Sequence, residues 1–263
     1  MTDPAAHDPP DGWSLDDLMI VAAARLLAGA STVLVGIGQP NLAANLARRV
    51  HNPSVVLIYE SGVIGARPER LPVSIGDPAL VTRAQCVLPM MDLFSFVLQG
   101  GHIDVGFLEG VQIDRFGNIN TTVIGPYEHP TVRLAGSGGA CEIASLARRT
   151  IILARHERRR FPERVDFVTS PGYLSGRAER KRIGLAGGPD AVITDLAILR
   201  FDDGTGEMYL ETVHPGVTVE KVRHETGWPL RLGARSGGRV GETPPPTAAE
   251  LQALSRLRTS RSS

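Results

Sequence analysis

TVLVGIGQPNLAANLARRVHNPSVVLIYESG, residues 32–62, decides the fold. Thr32–Gly38 is an apolar run of strand length that ends in a glycine turn. After Pro40, Asn41 to Val50 reads as a helix. Ser54 to Glu60 is a second apolar strand, and it runs directly into another glycine turn, SGVIG. A helix precedes the first strand. Ser14 can cap it, Asp17 sits at the capping-box position, and Leu15, Leu18, Met19, Ala22 and Leu26 form its apolar face before Gly29. This alternation opens an α/β fold with an open, mainly parallel sheet and flanking helices, not a β-sandwich.

Working outward, residues 64–80 carry Pro68, Pro72, Gly76 and Pro78 and read as irregular. Met91 to Gln99 is a short apolar helix closed by Gly100 and Gly101. HIDVGFL, 102–108, is a strand candidate, and 109–125 offers short alternations around a turn at Asp114 to Asn118. GSGG, 136–139, precedes a helix over Ala140 to Arg149, and RTIILARH, 149–156, returns to strand. Residues 191–213 read as two strands about an Asp- and Gly-rich turn, an added hairpin. Val219 to Glu225 suits a short helix. Thr247 and Glu250 form a second capping box before Leu251, Leu254 and Leu257. The expected organisation is a flexible segment over 1–13, one α/β domain over 14–240, and a linker with a C-terminal helix and tail over 241–263.

Composition narrows the function classes. Lys plus Arg and Asp plus Glu are both 28, so no excess charge calls for nucleic acid or an anionic membrane. Cys86 and Cys141 form no CxxC pair, and each is flanked by small or apolar residues, the setting of a buried free thiol in a reducing compartment. The N-terminal residues MTDPAAHDPPDGW do not resemble a signal peptide, and no apolar run approaches a membrane span. A cytoplasmic location follows by elimination. The seven histidines are dispersed, without HExxH or Cys/His spacing, so no metal site is expected.

Four segments could carry chemistry. In YESG, 59–62, Glu60 ends an apolar strand with Gly62 two positions on. A carboxylate there suits a nucleophile, a general base, a hydroxyl acceptor or simply a turn-capping acid. In GIGQP, 36–40, Gly36 and Gly38 could expose amide donors or form only a tight turn, and the third glycine of a dinucleotide fingerprint is missing. In GSGG, Gly136, Gly138 and Gly139 could form an anion nest or a flexible turn, without the Lys-Ser/Thr of a P-loop. HERRRFPER, 156–164, carries Arg158, Arg159 and Arg160 on a solvated or subunit-pairing surface, with a phosphate contact as the alternative.

The ordered set YESG, GIGQP, QIDRFGNINTTVIG (112–125), GSGGACEIA (136–144), HERRRF (156–161), VTSPGYLSG (168–176) and AVITDLAIL (191–199) resembles β subunits of glutaconate-type family I coenzyme A transferases, over roughly residues 14–235. The resemblance implies that Glu60 attacks an acyl-CoA thioester and passes through a glutamyl-CoA intermediate. It implies that Gly36, Gly38 and Gln39 line the acyl pocket, that Gly62 shapes the nucleophile loop, and that Gly136, Gly138 and Gly139 lie near the thioester or CoA. It further implies a CoA thioester as substrate with no tightly bound cofactor, and an α-type partner subunit in a heterotetramer. Neighbouring branches leave two alternatives: an acyl-CoA hydrolase or ring-opening subunit of steroid catabolism, and a non-catalytic acyl-CoA-binding partner. Those ring-opening relatives depart at the position of Glu60, which this chain retains.

Overall fold

The computed structural model describes residues 12–233 and 237–259. Residues 1–11, most of the expected flexible segment, and 260–263 of the expected tail lie outside the described residues. In chain order the elements are α1 (Leu15–Arg25), β1 (Thr32–Val35), α2 (Gln39–Val50), β2 (Val56–Tyr59), β3 (Val63–Ile64), β4 (Cys86–Val87) and α3 (Met90–Asp92). A π-helix, Leu93–Leu98, continues α3. Then come β5 (Val105–Glu109), β6 (Gln112–Ile113), β7 (Ile119–Asn120), β8 (Val123–Ile124), β9 (Val132–Arg133), α4 (Ala140–Leu146) and β10 (Arg149–Ala154). The second half holds α5 (Arg177–Arg182), β11 (Pro189–Thr194), β12 (Ala197–Phe201), β13 (Met208–Val213), α6 (Val219–His224), β14 (Arg231–Leu232), β15 (Gly241–Glu242) and α7 (Ala248–Thr259).

An eleven-stranded sheet of order β14-β13-β12-β11-β10-β5-β1-β2-β3-β4, with β15 beside β13, forms the centre of the described residues. β2, β1, β5, β10 and β11 run parallel; β3 and β4 on one side, and β12 and β13 on the other, are antiparallel. The central strands are buried on both faces, which is why their sequences are continuous apolar runs. Alternation sorts each strand between two cores. Val33, Val35, Leu57, Tyr59 and Phe107 face α1, α2 and α7; Leu34, Ile58, Leu108 and Ile152 face the side carrying the π-helix and α4.

Both capping boxes form. Ser14 and Asp17 bond reciprocally at α1, and Thr247 and Glu250 do the same at α7. Glu250, 2% exposed, also takes both arms of Arg25 at 2.8 Å. α7 packs on α1 and α2, with Leu254 and Leu257 inside the first core.

Several sequence-based boundaries move. α2 begins at Gln39, because Pro40 fits the first turn, where its missing N–H costs nothing. The strand expected over Ser54–Glu60 ends at Tyr59, leaving Glu60 in the turn. Residues 191–213 are not two strands: a turn at Asp195–Leu196 splits the first. Thr194 Oγ1 drives it by accepting the N–H groups of Leu196 and Ala197 at 3.1 and 3.0 Å. Cys86 is exposed and Cys141 half-buried, against the expected buried thiols; β4 is an edge strand and both of its residues are exposed. No described helix is long and apolar enough to cross a membrane.

Candidate active site

The C-terminal ends of β2, β1, β5 and β10 lie side by side, the edge where ligands bind in open α/β sheets. Glu60 follows β2. Its turn is closed by Gly62 N–H donating to Tyr59 O at 2.9 Å. Gly62 has φ +96°, and a Cβ there would lie 1.8 Å from Leu88 O, so only glycine lets the chain leaving β4 pass this close to the turn. Leu88 N–H donates to Gly62 O at 2.9 Å and fixes that crossing. The buried Tyr59 hydroxyl donates to Asn41 Oδ1 at 2.9 Å, and Asn45 Nδ2 donates to both side chains. This network ties the base of Glu60 to α2, and so to the GIGQP loop.

Glu60 is half-buried. Burial raises its carboxyl above the usual range, and the negative charge of Glu142 raises it further. Such a carboxylate is poorly solvated and therefore more nucleophilic than a surface glutamate. The next hydroxyl, Ser61 Oγ, is buried with no hydrogen-bond partner among the described residues.

Gly139, at the start of α4, reaches this acid from a distant part of the chain. A Cβ at 139 would lie 3.2 Å from Glu60 Cδ and 2.7 Å from Phe94 Cζ. Its glycine is a requirement of space, since φ −83° suits any residue. Gly136 and Gly138 differ: a Cβ on either meets nothing within 4 Å, and both have positive φ. They shape the loop. Gly136 pins it to Thr121, its N–H donating to Thr121 O at 2.7 Å and its O accepting from Thr121 Oγ1 at 2.8 Å. The buried Arg180 holds the far end of α4, donating to Ala144 O at 2.8 Å and to Gly172 O at 2.8 Å.

Gly36, Gly38 and Gln39 sit one strand over, at the end of β1. Gly38 has φ +102° and lies against Glu109, whose Oε1 accepts the Gln39 N–H at 3.3 Å. Burial raises the Glu109 carboxyl, while the Gln39 amide and Arg160 act in the opposite direction. Gly38, Gln39, Leu42, Glu109 and Arg160 line part of a hollow of about 370 Å³. Of the three arginines, Arg158 is structural, donating to His224 O and Thr226 O at 2.9 and 3.0 Å. Arg159 pairs with Glu157 at 2.5 Å, and Arg160 alone faces the hollow.

Glu109 and Phe94 are additions to the residues chosen from sequence. Glu109 carries the same signal as Glu60, an acid ending an apolar strand before glycine, but the strand was expected to stop at 108. Phe94 offers no local signal. Among the described residues no group of three or more His, Cys, Asp or Glu could hold a metal.

A desolvated carboxylate at a strand end is thus met by a glycine loop from a remote helix. The chain belongs to the coenzyme A transferase family: the family model described as "Coenzyme A transferase" matches residues 17–225. It is 50% identical over 246 residues to the B-type subunit of the 3-oxoadipate CoA-transferase of Pseudomonas knackmussii, covering 93% of each chain. It is 39% identical to the B-type subunit of the glutaconate CoA-transferase of Acidaminococcus fermentans, over 81% of this chain and 82% of that one. The crystal structure of the Acidaminococcus fermentans glutaconate coenzyme A-transferase superposes with a TM-score of 0.85 at 35% identity, covering 92% and 94%.

Proposed function

We propose that this chain is the β subunit of a two-subunit enzyme that moves CoA from an acyl-CoA to a carboxylic acid through a covalent intermediate on Glu60. The observation that carries the reading is the desolvated Glu60 carboxyl, set so close to Gly139 that a Cβ there would lie 3.2 Å from Glu60 Cδ. The Glu60 carboxylate attacks the thioester carbonyl and expels CoA thiolate, giving a mixed anhydride. The thiolate then attacks Glu60 Cδ, releasing the first acid and leaving a glutamyl-CoA thioester. A second carboxylate runs the sequence in reverse. Holding the thioester covalently conserves its energy between the two acids. No tightly bound cofactor enters this scheme. Gly36, Gly38 and Gln39 serve the acyl end, and Gly136, Gly138 and Gly139 the thioester end, with Gly62 fixing the nucleophile. Both acids named in the relatives, 3-oxoadipate and glutaconate, are dicarboxylic, so short dicarboxylic acids are the first acceptors to test.

An α-type partner, in a heterotetramer, belongs to the same proposal, as does a cytoplasmic setting. Val87, Met90, Met91 and Phe96 are exposed by 47–74% on the stretch leading to and through the π-helix beside Glu60. An apolar group of this kind supports a protein contact completing the site.

The test is to incubate the complex with acyl-CoA alone, trap with hydroxylamine or borohydride, and map the modified peptide. The reading expects modification at Glu60 and loss of exchange in Glu60→Ala. Full exchange by E60A would reject it.

A further inference from the structure

We propose that Phe94 shields the Glu60 carboxyl carbon from water, and that this shielding keeps the enzyme a transferase instead of a thioester hydrolase. The inference rests on the glutamyl-CoA reading above. In that cycle Glu60 Cδ becomes the carbonyl carbon of the thioester. Water attacking it would release CoA thiol and a proton and regenerate the Glu60 carboxylate, with the acyl energy lost. Exclusion of water at this atom is therefore one condition for transfer.

Phe94 and Glu60 converge on one point. The place a Cβ would occupy on Gly139 lies 2.7 and 3.0 Å from Phe94 Cζ and Cε1, and 3.2 Å from Glu60 Cδ. The ring edge and the reacting carbon thus flank the same small space. Phe94 has no polar atom with which to hold or deliver a water.

The backbone explains how Phe94 gets there. Leu93–Leu98 is a π-helix, and Phe94 O accepts the Gln99 N–H at 2.9 Å across the wider turn. Leu93 and Leu98 are both 0% exposed and anchor that turn in the core, while Phe96 is 69% exposed. With both leucines buried five positions apart, the turn carries Phe94 to Gly139 and leaves Phe96 outside. π-turns of this kind recur at functional sites. Phe94 is half-buried, packed on the second core by one side and directed at the site by the other.

The experiment uses the complex with its α-type partner and succinyl-CoA as a dicarboxylic acyl probe. The Glu60 thioester is formed, freed of small molecules by gel filtration, and followed by thiol release and peptide mapping. Phe94→Ala is expected to shorten the adduct half-life about tenfold or more and lower the ratio of transfer to hydrolysis in step. Phe94→Leu, which keeps apolar bulk, is expected to stay within about threefold of wild type. The half-life is read on the labelled fraction alone, so partial misfolding of a variant does not change it. An F94A half-life within about twofold of wild type overturns the shielding role while leaving the Glu60 mechanism intact. A wild-type enzyme that exchanges CoA from succinyl-CoA yet forms no Glu60 adduct overturns both.

Discussion

Replacing Gly139 with alanine puts one methyl group between the Phe94 ring and the Glu60 carboxyl. Carbon atoms pack best at about 3.5–4.0 Å, so a Cβ that starts 2.7 Å from Phe94 Cζ requires a retreat of about 0.8 Å or more. The same methyl lies 3.2 Å from Glu60 Cδ, so the proposed nucleophile has to retreat about 0.3 Å as well. Misplacing a reacting group by about 1 Å costs about 10²-fold, so a shift of about 0.3 Å at Glu60 scales to about fourfold, or about 0.8 kcal/mol of barrier. Stability responds differently. The backbone at 139, φ −83° and ψ 1°, accepts alanine, and loss of glycine entropy in the unfolded chain contributes about 0.4–1 kcal/mol. Overpacking costs about 1–3 kcal/mol, at the low end here because Phe94 is only half-buried and can shift. The net change is within about 1 kcal/mol, or about 2–4 °C in Tm. The assay is kcat/KM for CoA exchange by the assembled enzyme, beside thermal unfolding of the same sample. Exchange within about 1.5-fold of wild type would refute the placement of Gly139 at the proposed reacting carbon.

Gly62→Ala should fail for the opposite reason, since its Cβ would strike the Leu88 carbonyl from a backbone with φ +96°. A loss of about 3 kcal/mol or more is expected by chemical unfolding. Exchange should fall as pH drops through a Glu60 pKa above the ordinary glutamate value, because the ionised form attacks. Glu142→Gln should move that acid limb to lower pH in a pH–rate profile, and an unmoved limb would remove Glu142 from the site's electrostatics. Acid should destabilise the fold in two windows. His156 and His214 are buried neutral with pKa held down to about 4, so stability is lost as pH falls from the unfolded value of about 6.5 toward 4. Glu250, held at about 2, adds stability that is full above the unfolded value of about 4.3 and is lost as pH falls toward 2. Tm measured against pH should lose the lower step in Glu250→Gln.

The parallel centre of the sheet is legible because β1, β2, β5 and β10 are buried on both faces and must be apolar throughout. The two capping boxes are legible because each is a contact between residues three apart. The turn at Asp195–Leu196 escapes because it interrupts an apolar run without glycine or proline; its cause is the single hydroxyl of Thr194. At the site, a strand-end acid and glycine loops stand out as motifs, but their meeting does not. Gly139 and Phe94 reach Glu60 from distant parts of the chain, and whether Gly136 and Gly139 differ in purpose depends on what each one faces. Phe94 also depends on a π-turn, whose five-residue spacing imitates neither helix nor strand periodicity.

The last helix covers what the first two build. Leu254 and Leu257 close the apolar surface of α1 and α2, and Glu250 supplies the acid for Arg25. During synthesis on the ribosome, Ala47 therefore emerges about 200 residues before Leu254. At about 5–20 residues per second this leaves a greasy, unmated helical layer open for roughly 10–40 s. The newborn chain is then at its most adhesive, and a messenger that stops before codon 254 would release it in that state.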